Sequence, residues 1–423
     1  MAPHHSSTAV GTRARTARAN RRDWANLTAG PAGLIAEAVL ADDVAGYLRF
    51  RSVCGMWRRC TEPPHAHGSL DSRFHPRRWI MLPEVFAANV DRRDFLNVST
   101  GERIRVDLPE LRDQLVIGAT SGGLLVLLCG NNTRDMHLLN PLTRQLTALP
   151  NAASLLRGQE NITWLSELEK LQVSSAGLAD SSTVALYFDD RKMELAVAKP
   201  GDERWSCRPR PEPGFIISAL SFANRFYCAS KKGINVVDAI AAVKQPQLAV
   251  VVEEGEPTHE SYLVDNDDEL IRVQQAPVGT KTPRYHAHRV DLAVGQMVRI
   301  YDLRGRAVFV GDDGRSVSVH AGLSSSIKAD TVYWCKCSGD GTLGIAAYHV
   351  KNGWTTWNLH AWPGSMVDYL SRYVCRSEDT VVPAPTHRCR IFKVAATVAG
   401  PRKRKGKRKR KANSKVIGND WVN

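Results

Sequence analysis

Residues 23 to 60 carry apolar positions at helical spacing. Trp24 and Leu27 lead into Leu34, Ile35, Val39 and Leu40, and Tyr47, Phe50, Cys54 and Trp57 repeat the period after the polar pair Asp42-Asp43. Val44, Leu48 and Val53 fill the same stretch. Pro31 suits a first helical turn, where its missing N–H costs nothing. Asp42 or Asp43 is placed to cap the following helix. Roughly forty residues do not close a core unaided, so this segment is expected to need a partner.

Past Cys60 a polar break, TEPPHAHGS, ends the helical pattern and short strands take over. The predicted strands pair up: Leu124–Leu128 with Met136–Asn140, and Val184–Phe188 with Met193–Val197. Ala219–Phe222, Phe226–Ala229 and Ile234–Val237 form a triplet, followed by Tyr262–Val264 and Leu270–Val273 around an acidic turn. Ala307–Val310 and Ser316–Val319 flank an Asp-Gly turn, which supplies the positive φ a hairpin needs. Val332–Cys335, Leu343–His349 and Thr355–Leu359 close the series. Strand groups recurring about every forty residues match the length of a four-stranded propeller blade, with a β-sandwich as the alternative. The expected class is α+β by segments, with a small helical module before a mainly β domain.

Charge changes the picture once it is located. The formal net charge is +14, yet five arginines from Arg13 to Arg22 and ten lysines and arginines between residues 402 and 415 account for all of it. The rest holds 42 basic side chains against 43 acidic ones. A near-neutral body is a poor general platform for nucleic acid, which needs clustered charge on the fold. The boundaries follow: a disordered basic N-terminus over 1–22, a helical module over 23–62, a β domain over 70–395 and a disordered basic tail over 396–423. Lys403, Arg404 and Lys405, with Lys407, Arg408, Lys409, Arg410 and Lys411, are the short basic runs that nuclear import receptors read. They predict a nuclear protein, with a cytoplasmic pool also open, and they would bind nucleic acid nonspecifically.

No apolar run is long enough to span a membrane, and the first residues lack the apolar stretch of a secretory signal. Nine cysteines in an odd, irregular scatter without a CxxC pair point to reduced, mostly buried thiols in cytosol or nucleus. Asp189-Asp190, Asp265 to Glu269 and Asp312-Asp313 sit between strands and read as turns rather than paired catalytic carboxylates. His65 with His67 and His286 with His288 read as surface imidazoles in polar loops, and Cys335 with Cys337 as core thiols. Trp205, Trp334, Trp354 and Trp357 read as blade packing. No phosphate loop or nucleophile elbow is present. Neither a metal nor an organic cofactor is expected, and the chain is predicted to be non-catalytic.

Two resemblances give these patterns a meaning. Trp24, Leu27, Leu34-Ile35, Leu40, Asp43 and Phe50-Arg51-Ser52-Val53-Cys54 followed by Trp57-Arg58 resemble the F-box, a helical module that docks on Skp-family adaptors of cullin–RING ubiquitin ligases. The F-box usually opens with Leu-Pro, where this chain has Leu27-Thr28. His137-Leu138-Leu139-Asn140-Pro141-Leu142-Thr143-Arg144 with Leu149-Pro150 resembles the plant KIB-type β-propeller that often follows an F-box. Phe74-His75-Pro76-Arg77, the run Leu303 to Asp312 and Asp330-Thr331-Val332-Tyr333-Trp334 match further phrases of that family. It usually carries Gly-Asp where Arg304-Gly305-Arg306 stands.

The resemblance implies a substrate-recognition subunit of an SCF-type ligase. Leu27, Leu34, Ile35, Leu40, Val44, Leu48, Phe50, Val53, Cys54 and Trp57 would meet the adaptor, and through it cullin, while the propeller holds an unidentified target protein. The alternative is a nuclear protein that associates with nucleic acid through its basic tail.

Overall fold

Alternation along a strand sends successive side chains to opposite faces, so a strand buried on both faces needs apolar residues at every position. Val184–Phe188 is such a strand, with every residue buried. The computed structural model describes residues 27–66, 68, 70–82, 91–130, 133–155, 171, 173–188, 193–209, 216–238, 245–253, 260–276, 284–311, 314–337, 343–357 and 366–374. Six sheets are found among them.

Blade I holds β1 (Trp79–Met81), β2 (Arg92–Asn97) and β3 (Arg103–Asp107). Blade II holds β4 (Gln114–Ala119), β5 (Leu125–Cys129), β6 (Met136–Leu139) and β7 (Leu146–Leu149). Blade III holds β8 (Val173–Leu178), β9 (Val184–Phe188), β10 (Met193–Ala198) and β11 (Ser206–Pro209). Blade IV holds β12 (Ile216–Phe222), β13 (Arg225–Ser230), β14 (Gly233–Asp238) and β15 (Gln247–Glu253). Blade V holds β16 (Ser261–Asp265), β17 (Leu270–Gln275), β18 (Tyr285–Asp291) and β19 (Gln296–Ile300).

Blade VI is different. It holds β20 (Arg306–Gly311), β21 (Ser316–His320), β22 (Thr331–Cys337), β23 (Leu343–His349) and β24 (Thr355–Trp357), in the order β21-β20-β22-β23-β24. The β20–β22 pair is parallel, whereas the other pairs are antiparallel.

Six apolar cores lie between successive blades and close the ring. Leu124, Val126 and Leu128 face blade III, while Leu125 and Leu127, one residue out of step, face Trp79 and Phe95 of blade I. Blades III and IV meet through Leu195 and Phe226, IV and V through Ile234 and Leu263, and V and VI through Val273 and Val308. The ring closes where Leu96 and Val98 of blade I meet Phe309 and Tyr333 of blade VI. Helix α4 (Met366–Val374) adds Val367, Tyr369, Leu370 and Val374 to that last core. Arg103 of β3 clamps it, donating to the Tyr369 hydroxyl at 2.7 Å with its guanidinium carbon 4.6 Å from the ring centroid. The exposed positions of β3 are Arg103, Arg105 and Asp107, charges that discourage another strand from adding to an open edge.

Among its described residues the N-terminal module holds three helices: α1 (Ala29–Asp42), α2 (Val44–Ser52) and α3 (Gly55–Arg59). Thr28 caps α1 without a side-chain hydrogen bond, and Pro31 sits in its first turn as expected. Asp43 is the cap of α2, its Oδ2 accepting from the Gly46 N–H at 3.0 Å. Its other oxygen accepts from Trp79 Nε1 at 2.7 Å, so one carboxylate starts a helix and ties it to blade I. Ala45 enters the core between blades I and II, Asp42 pairs with Arg78 at 2.6 Å, and Arg49 pairs with Glu102. The module's missing partner is therefore, in part, its own propeller.

Candidate functional site

In α1 the usual order of sizes is inverted. Ala32 and Ala36 are its buried residues, whereas Leu34 and Ile35 are exposed at 70% and 38%. Val53, in the link between α2 and α3, is exposed at 61%. Large apolar side chains thus stand in water beside small ones in the core, a reversal of the usual burial order.

The ten residues read from the sequence as adaptor contacts divide into three groups. Leu34, Ile35 and Val53 are open to solvent. Leu27, Leu40, Leu48, Cys54 and Trp57 are half-buried. Val44 and Phe50 are buried in the module's own core with Ala32, Ala36, Tyr47 and Phe74, and so support such a surface from behind. Phe50 and Trp57 stack at 4.2 Å between centroids and 18° between planes, which fixes α3 against α2. The Cys54 thiol accepts from the Trp57 N–H at 3.4 Å and so caps α3. Trp57 Nε1 is buried without a hydrogen-bond partner among the described residues.

The channel of the propeller is lined in succession by β4, β8, β12, β16 and β21. Ser121 of blade II donates to the Ser221 carbonyl of blade IV at 2.7 Å, past blade III. The close approach rests on Gly177, where an added Cβ would come within 2.2 Å of the Ser221 Cβ. Arg315 reaches from blade VI to the Val173 and Ser174 carbonyls of blade III at 3.5 and 3.4 Å. A cavity of about 720 Å³ extends from this channel to the helical module. Its walls include Glu37, Leu40 and Asp43 of the module, Ile80 and Val98 of blade I, and Asp265 and Arg306 of blades V and VI.

The acidic turn at the mouth of this cavity is structural. Asn266 to Glu269 turns with Asp267 and Asp268 both at positive φ (63° and 64°), the geometry of a tight hairpin turn. Asp265 Oδ1 accepts from the Asp268 N–H at 3.1 Å. Asp265 is exposed on the cavity wall; desolvation by the protein packed around that wall, with Asp268 and Asp267 close by, raises its pKa above the usual carboxylate range. Burial lowers the Arg306 pKa, although Asp267 and Asp265 oppose the shift. Trp24, Asp189-Asp190, Asp312-Asp313, His67 and the side chains of Cys337 and Trp357 lie outside the described residues, as does the whole basic tail from Lys403 to Lys411. Among the described residues no cluster of three His, Cys, Asp or Glu side chains is placed to hold a metal ion.

The second histidine pair requires a correction. His286 and His288 are on β18, not in a loop, and their rings lie 6.4 Å apart. Desolvation first, then His286, Arg299 and Arg272, push the His288 pKa down to about 4. Its polar residues drew attention from the buried Tyr285 and Ala287, whose alternation with the histidines is the mark of a half-buried strand. Of the thiols, Cys228 and Cys335 are free and buried.

The family phrases read from the sequence meet in space. Asn140 Oδ1 accepts from the Leu142 and Thr143 N–H groups, both at 3.1 Å, while its Nδ2 donates to the Phe74 carbonyl at 2.8 Å. Asn140-Pro141-Leu142-Thr143 is thus a turn locked against Phe74-His75, the segment joining module to propeller. Asp330 Oδ1 likewise accepts from the Leu303 N–H at 2.7 Å and the Gly305 N–H at 3.3 Å, which joins two further phrases. Trp79 and Ala45, which fasten the module, gave no signal in the sequence.

Comparison with known proteins agrees with this geometry. The family described as KIB1-4 beta-propeller matches residues 95–358. A protein of Arabidopsis thaliana whose name reads "Putative F-box protein" is 23% identical over 231 residues, covering 51% of this chain and 63% of its own. The chain thus spans less than two thirds of that curated relative. Among solved structures, the β-propeller domain of the Trilobed protease from Pyrococcus furiosus has 10% identity and a TM-score of 0.29, covering 63% of this chain and 73% of that one. A protein of unknown function from Bacteroides thetaiotaomicron has 8% identity and a TM-score of 0.31, covering 66% of each chain. These TM-scores are too low for either structure to bear on function.

Proposed function

Because the chain belongs to the KIB1-4 beta-propeller family, we propose that it is the target-binding subunit of an SCF-type cullin–RING ubiquitin ligase. The observation that carries the reading is the inverted face of α1, with Leu34, Ile35 and Val53 in solvent on a module clamped to the propeller. The name of the Arabidopsis relative supports it. On this reading the module is an F-box that docks on a Skp-family adaptor, and cullin is reached through the adaptor. The propeller holds the target protein. The chain performs no chemistry itself; it raises the local concentration of target at a catalytic subunit elsewhere in the assembly.

The test is binding of the full-length chain to purified Skp-family adaptor. Leu34→Glu with Val53→Glu places two charges on a solvated surface, so folding is expected to survive while adaptor binding is lost. Unchanged affinity in that variant would overturn the proposal. Substituting Trp57 would be uninformative, since its stacking on Phe50 holds the module together.

We further propose that Lys403–Lys405 and Lys407–Lys411 direct the chain to the nucleus. A fluorescent fusion with those lysines and arginines changed to glutamine should shift to the cytoplasm, and a fusion that stays nuclear would exclude them as the signal.

A further inference from the structure

On the rim of blades V and VI two aromatic side chains stand in water. Tyr301 is exposed at 57% and Trp354 at 51%. Both belong to loops held by one residue. Asp330, itself at positive φ (52°), binds the Leu303 and Gly305 N–H groups with its carboxylate, and its carbonyl accepts from the Val350 N–H at 2.9 Å. The His349 N–H in turn donates to the Trp354 carbonyl at 2.9 Å. The loop carrying Tyr301 and the turn carrying Trp354 are thereby fixed to the same point.

Each ring carries a cation. Lys328 Nζ lies 4.2 Å from the Trp354 centroid, and the Arg299 guanidinium carbon lies 5.2 Å from that of Tyr301. The carboxylates described nearby are bonded to other groups, and none of them pairs with these cations. Glu269 is matched by Arg304 at 3.2 Å and Arg289 at 3.9 Å, and the Asp330 carboxylate is engaged by backbone N–H groups. Asp302 accepts from the Arg304 N–H at 3.2 Å. Among the described residues no carboxylate forms an ion pair with Arg299, Lys328 or Lys351. Tryptophan, tyrosine and arginine held on a fixed backbone are the residue types of an interface hot spot. Here the surplus sign is positive.

We propose that this rim, built from Tyr301, Trp354, Arg299 and Lys328, is the surface on which the propeller takes its target, and that it fits a segment alternating acidic with apolar side chains. The apolar groups would cover the aromatic faces, and the carboxylates would meet the two cations. The inference rests on the reading of the chain as a target-binding subunit and supplies the chemistry of the target.

The experiment is fluorescence anisotropy of a labelled peptide alternating glutamate or aspartate with leucine, titrated with the full-length chain at physiological salt. The wild-type chain is expected to bind it and to ignore a peptide with lysine in place of the acids. Tyr301→Ala with Trp354→Ala should weaken binding by about tenfold or more, with Trp354→Phe restoring part of the loss. Arg299→Glu with Lys328→Glu, which leaves the rings in place, should weaken it comparably. Equal binding by wild-type and both double variants would overturn the proposal. So would a loss seen only when Lys403 to Lys411 are neutralised, which would assign the binding to the tail. Adaptor binding is measured on the same variants. Its retention shows that they are folded, and its absence from the wild-type chain would defeat the ligase reading without touching the peptide result.

Discussion

The blades and the helical module use the same apolar side chains under opposite constraints. In the ring, both faces of a strand meet a neighbour, so Leu125 and Val126, which point to opposite faces of β5, are buried alike. In the module only one side has a neighbour. Ala32, Ala36, Val44 and Phe50 turn inward, while Leu34, Ile35 and Val53 are left in water. The ring is therefore self-sufficient and the module is not. It is half fastened to blade I and half unpaired.

The largest effects should come from residues that look alike in sequence and differ in direction. Phe50→Ala removes a buried ring and its stack on Trp57, and is expected to cost about 3 kcal/mol or more, visible as a lower midpoint in denaturant. Val53→Ala, three residues on, should change stability by less than about 0.5 kcal/mol while weakening adaptor binding. If the two variants destabilise equally, the division of the module into core and docking face is wrong.

The fastening itself predicts a smaller loss. Asp43→Ala removes the cap of α2 and the Trp79 hydrogen bond together, which should cost about 1–2 kcal/mol. Asp43→Asn keeps one acceptor and should cost less. Because Ala45 and Asp43 draw on the propeller, the isolated stretch 23–62 should show less helix by circular dichroism than its share of the whole chain. Full helicity in isolation would show that blade I contributes nothing to the module.

Much of the ring was legible because strands buried on both faces leave unbroken apolar runs, as Val184–Phe188 does. Strands with a wet or polar face escaped. β3 reads Arg-Ile-Arg-Val-Asp and guards an edge with charge, and β18 alternates histidine with small or apolar residues. The division of the candidate adaptor residues was illegible for a different reason. Leu34 and Leu40 share a helix and a hydropathy, and only the packed neighbours decide which one faces water. Ala45 was equally silent, since an alanine in a blade core looks like any helical alanine. Trp354 reads from the sequence as blade packing, and its exposure follows from loops tied to Asp330, a contact between residues far apart in the chain.

The smallest expected effect is a pH dependence of stability that arises in blade V of the ring and not in the module's docking face. His288 is held neutral between blades, its pKa pushed down to about 4 by desolvation and the neighbouring His286, Arg299 and Arg272. Its folded pKa lies below the ordinary histidine value of about 6.5, so between those two values the unfolded chain binds the extra proton. Stability from this group is therefore complete above about pH 6.5 and is lost progressively as pH falls toward about 4. His288→Gln should flatten that part of the profile in urea unfolding measured across the window, leaving the neutral end little changed. A slope unaltered by His288→Gln would mean that protonation on this blade is not coupled to folding.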